Sequence, residues 1–187
     1  MATVTRSCGA GANVDYPVGD SAIWANPGNI TSSDNSYATT SFTYGYATTN
    51  DYLKASNFGF SIGSGDTING ITVAIERKAT NIITDVVVYI LNGDGSAGIG
   101  STNRSAGATW NTTEGVVNFG GSSDVWGETW TPAKVNSSNF GVVFRCAGGS
   151  TGFGDVDTAY VDHVEITINY TAGSSASSNP AFLMFVD

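Results

Sequence analysis

At 187 residues and 19.3 kDa the chain is of single-domain size, long enough to bury a core without disulfide staples. Its 41% hydrophobic and 11% aromatic content excludes a disordered chain, and its longest apolar runs are too short to cross a bilayer. A net charge of -9, with seven Lys and Arg nowhere clustered, excludes the footprint of a nucleic-acid binder and argues against attachment to an anionic membrane.

Residues 1–23 mix Gly, Ala and Asp without a period and read as an N-terminal arm, with Val4 and Val14 as its apolar contacts. From residue 24 short alternations of apolar and polar residues recur, punctuated by Gly, Asn, Asp and Ser, the pattern of an all-β chain. Short strands are predicted around Tyr37–Tyr44 and, from Phe58, Phe60 and Ile62, near residue 60. Ile71, Val73 and Ile75 alternate with Thr72, Ala74 and Glu76 in the next strand, and Gly70 breaks their phase with Ile68, which predicts a bulge or bend. Val86 to Leu91 is apolar on both faces. Such a strand is central in its sheet, or has its outer face covered by a loop or neighbour. Asn92-Gly93-Asp94-Gly95 supplies turn chemistry.

A short strand is expected over Gly115–Phe119, then a turn in which Asp124 and Glu128 flank a packed Trp126. Phe140, Val142 and Phe144 form another inward set, extended by Cys146. That thiol reads as a buried core group, with a disulfide to Cys8 as the alternative. In the last strand Tyr160, Val164, Ile166, Ile168 and Tyr170 point one way, with Asp162 among them; Val161, His163, Glu165, Thr167 and Asn169 point the other. The sum is an antiparallel two-sheet β-sandwich, jelly-roll-like, over residues 24–171. Residues 172–187 read as a flexible linker followed by an apolar C-terminal docking tail, Phe182-Leu183-Met184-Phe185, which needs cover against aggregation.

Asp155, Asp157 and Asp162 follow a Gly-rich run, and carboxylates in a loop are what calcium takes; ordinary turn acids are the alternative reading, since the spacing is not an EF-hand. An Asp162 on the apolar side would need a partner, a metal or water. His163 lies beside Glu165 on the polar face, and no nucleophile motif accompanies it, so it reads as a solvated histidine and the chain as a non-enzyme. Trp24, Trp110, Trp126 and Trp130, with Tyr37, Tyr44, Tyr46 and Tyr52, are either a sugar-stacking platform or core and interface.

A series of phrases carries a resemblance: Trp24-Ala25-Asn26-Pro27, Asn29 to Ala38, Asp51 to Phe60, Thr67 to Val73, Ser123 to Gly127, Asn139 to Val142 and Tyr160 to Val164. In this order they resemble a jelly-roll-like β-sandwich family recurring in tailed-bacteriophage virion proteins, in capsid decoration (cement) or tail-associated roles. The resemblance spans residues 24–170. It implies a structural virion protein, made in a host cytoplasm and exposed on the particle, bridging subunits of the major capsid protein or bound to another virion protein. It fits a polar, Gly-rich chain whose first residues, Met1 to Gly9, lack the apolar core of an export signal. A homo-oligomer, a trimer over a local threefold, follows as an expectation from that role, with Val4, Val14, Phe182, Leu183, Met184 and Phe185 as partner contacts. A carbohydrate-binding module on a tail or fibre is the alternative. The last phrase also resembles the final strand of galactose-binding-type jelly rolls, where an acid often serves calcium.

Overall fold

The computed structural model describes residues 1–15, 22–44, 49–95, 102–150 and 152–173. Nine strands form two antiparallel sheets. They are β1 (Ala2–Ser7), β2 (Ala10–Val14), β3 (Ala38–Thr43), β4 (Tyr52–Ser56), β5 (Thr67–Ala79), β6 (Ile83–Leu91), β7 (Gly115–Gly120), β8 (Gly141–Gly148) and β9 (Val156–Thr171). Odd-numbered strands build one sheet, in the order β1-β9-β5-β7 with β3 also on β9; even-numbered strands build the other, in the order β2-β4-β8-β6. Each step along the chain therefore changes sheet. The apolar parity of each strand faces the gap, where Ile71, Val73, Ile75, Val164, Ile166 and Ile168 meet Leu53, Val88, Ile90, Val142 and Phe144, all essentially buried. The result is an antiparallel β-sandwich.

Residues 2–14 are not an arm. β1 pairs with β9 and β2 with β4, so this segment belongs to both sheets and closes one side of the sandwich. Gly and Ala hid the pattern, because at a sheet edge they need no alternating bulk. Val4 packs against the core rather than outward, while Val14 is 40% exposed. The Cys8 thiol, at the corner between the two strands, donates to the Ile30 carbonyl at 3.1 Å.

The bulge expected at Gly70 is present: the β5–β9 register shifts between Ile68 and Gly70. A methyl group on Gly70 would lie 2.3 Å from the Ser122 carbonyl carbon, so the close approach requires glycine. β6 is an edge strand, not a central one. Its open edge is covered by residues 102–110. There the Asn103 side chain bonds Val88 N–H and Val86 C=O, and Trp110 N–H bonds Ile83 C=O.

Phe58, Phe60 and Ile62 point inward as expected, yet residues 57–66 form no strand. Asn136, just after the short helix Pro132–Val135, replaces a ladder partner: its amide bonds both Ile62 N–H and Ile62 C=O at 2.8 Å. Trp126 is fully buried with φ 56°, and Asp124 accepts its N–H, as the turn reading required.

Candidate functional site

A second register shift, between Glu76 and Arg77, sets the geometry of the outer face of the odd-strand sheet. Glu76 pairs with His163 but Arg77 with Val161, leaving Asp162 as the extra residue. Below the shift the parity of β9 is inverted relative to a single alternating run. Ala159 and Val161 are core, while Tyr160 turns outward. Asp162 does not lie among the apolar set; it emerges on the outer face and is nevertheless 1% exposed.

Around it stand Glu76 from β5 and Glu114 from just before β7. One carboxylate oxygen from each of these three acids lies within 4.8 Å of the others. The Asp34 N–H donates to Asp162 Oδ1 at 3.4 Å. Lys78, two residues beyond Glu76 on the same face, reaches Glu114 at 3.0 Å and the Tyr37 hydroxyl at 2.7 Å, with its ammonium 4.1 Å from the Tyr37 ring centre. The Tyr37 hydroxyl donates to Glu114 at 2.6 Å, and its ring meets Tyr160 edge-on at 5.6 Å. Burial pushes the Glu114 carboxyl upward, but the bonds from Tyr37 and Lys78 outweigh it and hold the group below the usual range. The same bond to Glu114 raises the Tyr37 phenol, and the bond to Tyr37 raises Lys78. Three oxygens this close form a donor set suited to a hard cation or to polyol hydroxyls, partly neutralised by Lys78.

Asp155 and Asp157 are not part of this cluster. Asp157 is buried and accepts from the N–H groups of Gly149 and Ser150 and from the Ser150 hydroxyl, so its carboxylate fastens the β8–β9 turn. Asp155 is exposed in the turn closed by its own N–H to Gly152 C=O. Among the described residues the converging carboxylates are instead Glu76, Glu114 and Asp162. Glu76 could have been found from the outward parity of β5; Glu114 could not, because only the β5–β7 register delivers it.

All four tryptophans are buried and offer no stacking platform. Tyr46 and the segment Phe182, Leu183, Met184, Phe185 lie outside the described residues. Of the eight exposed large apolar side chains among the described residues, four gather elsewhere. Ile82 (49% exposed) is in the β5–β6 turn, Phe153 (88%) in the β8–β9 turn, Val156 (45%) at the start of β9 and Tyr44 (42%) just after β3. These positions adjoin. Tyr44 N–H bonds Asp155 C=O, Gly149 N–H bonds Ile82 C=O, and the Asn81 side chain bonds Val156 C=O at 3.1 Å. Together they form an apolar cap at one end of the sandwich.

Arg77 and Asp85 are buried between the sheets at 3% side-chain exposure each, and both Arg77 terminal nitrogens bond the carboxylate. The Trp110 indole N–H donates to the same carboxylate at 2.9 Å, and the guanidinium lies 4.2 Å from the Trp110 ring centre. This network ties β5 to β6 beneath a groove of about 440 Å³ rimmed by the Arg104–Asp124 pair.

The chain is thus a two-sheet antiparallel β-sandwich with a jelly-roll-like character. No protein-family model matches the sequence, and no curated protein does. A solved structure described as "CBM4 structure and function" is similar to it over 87% of this chain and 92% of that one, at 13% identity and a TM-score of 0.42.

Proposed function

We propose that the chain is a structural component of a virus particle, a capsid decoration protein seated on the major capsid protein or another virion protein. The observation that carries this reading is the apolar cap, where Tyr44, Ile82, Phe153 and Val156 gather at one end of an acidic chain. Apolar side chains gathered at one end, outside a core that is already complete, suit a surface covered in an assembly. Seating the cap across neighbouring subunits would raise the free energy needed to separate them. The ordered phrases between Trp24 and Val164 support the same role. Of the contacts expected from the N-terminus, Val4 is packed against the core and Val14 is exposed, so Val14 stands with the cap and the 180–187 segment as candidate contacts. The test is binding to particles stripped of the protein, comparing the parent chain with Phe153→Asp; equal binding by both would remove the cap from the interface.

The outer-face cluster favours a second reading, a glycan-binding module. Tyr37 and Tyr160, packed edge to face, stand beside Lys78, Glu76, Glu114 and Asp162, a set able to bond sugar hydroxyls. It predicts saturable binding on a glycan array that Tyr160→Ala abolishes; an array without signal would remove it.

A further inference from the structure

We infer that the apolar cap receives the Phe182-Leu183-Met184-Phe185 segment of a second copy of the chain, joining copies head to tail. The inference rests on the reading above that the cap is covered in an assembly, and assigns that cover to a neighbouring copy of the chain on the particle.

The cap and the point from which the C-terminal segment departs lie at opposite ends of the same strand. Val156, in the cap, begins β9, and Thr171 ends it. Just beyond, Gly173 N–H bonds the Asp66 side chain at 3.0 Å, which fixes the departure point of the following residues at the far end of the sandwich. At about 3.3 Å per residue the sixteen-residue strand runs about 50 Å. From Gly173 to Phe182 the chain spans about 32 Å if fully extended. As a Gly/Ser-rich coil it spans about 17 Å. Even Phe185 reaches only about 43 Å at full extension. The segment therefore cannot cover the cap of its own molecule, whereas the cap of a neighbour is open to it.

Both partners need cover. Four large apolar residues in a row are an aggregation hazard in water, and Phe153 at 88% exposure is the most exposed aromatic of the described residues. A donor segment at one end and an acceptor cap at the other make a heterologous contact, which closes into a ring or runs on as a filament according to its rotation. A three-membered ring is the closed form that a threefold capsid position would accept.

Sedimentation velocity on the full chain tests this, beside two full-length variants: Phe153→Asp in the cap, and Phe182→Ser with Phe185→Ser in the tail. Phe153 is exposed, and circular dichroism checks that each variant remains folded. The parent is expected to associate with rising concentration, and each variant to associate at least about tenfold more weakly. A mixture of the two variants should recover association in part, because the tail of one meets the intact cap of the other. A peptide of residues 178–187 should compete. A parent that stays monomeric, or association unchanged by either variant, overturns the inference. Association without binding to stripped particles would sink the decoration role and leave the head-to-tail contact standing; particle binding by a monomeric parent would do the reverse.

Discussion

Replacing Asp85 with Asn would leave the Arg77 guanidinium buried at 3% exposure without a counter-charge. The replacement keeps the shape of the side chain and one acceptor oxygen, so the Trp110 indole can still bond; what is lost is the charge and one of the two acceptors facing Arg77. The other position now presents an amide donor to a donor. Arg77 Nε already lacks a partner, so the site has no spare acceptor to offer. Breaking one side of a buried pair costs about 3–5 kcal/mol, against a total stability of about 5–15 kcal/mol for a domain. At about 2–4 °C per kcal/mol for this chain length, the melting temperature should fall by about 6–20 °C. Chemical denaturation followed by tryptophan fluorescence reads the same loss. The double substitution Arg77→Met, Asp85→Leu removes both charges and orphans only the indole N–H, at about 1–3 kcal/mol. It should therefore be more stable than Asp85→Asn alone. A single variant within 1 kcal/mol of the parent, or a double variant no better than the single, would refute the reasoning.

Gly70→Ala should destabilise by about 1–3 kcal/mol in denaturant titration, since its methyl meets backbone atoms of Ser122 and Gly121 that cannot turn aside. Cys8 and Cys146 are free and buried; burial pushes the Cys8 thiol up to about 12 and raises Cys146 as well, so a thiol reagent at pH 8 should label neither in the folded chain and both after unfolding. Glu114 has a depressed folded value, so its stabilisation is present above the ordinary carboxylate range and disappears as pH falls through that value. Glu114→Gln should cost about 0.5–1 kcal/mol at pH 7, in keeping with a partly solvated pair, and should flatten the decline of stability below about pH 4.5. An unchanged pH profile in melting curves would contradict that assignment.

Legibility in the sequence followed side-chain bulk. Where large apolar residues alternate, as in β5 and β8, strand and inward face could both be read directly, and Gly70 announced its bulge. Where the strand is built from Ala, Gly and Thr, as in β1 and β2, there was no contrast in bulk to read, and two sheet edges passed for an arm. The bulge at Asp162 carried no glycine, so a single alternation was drawn through β9 and inverted the faces of Tyr160 and Val161. Arg77 was legible in principle: it continues the inward parity of Ile71, Val73 and Ile75, and a charge there demands a buried partner. Asp85 shares that parity with Ile83 across the turn. The Glu76–Glu114–Asp162 cluster was not legible, because its members come from three strands or strand ends whose neighbourhood exists only in the sheet. Phe58, Phe60 and Ile62 show the converse, a true burial pattern without a strand, because an asparagine side chain does the work of a ladder.

The central claim is that the chain assembles on a particle surface with its apolar cap covered in that assembly, and co-sedimentation with capsids stripped of the protein tests it most directly. The account predicts saturable, stoichiometric binding by the parent chain that Phe153→Asp weakens by at least about tenfold while leaving the fold intact. Absence of binding by the folded parent would contradict it.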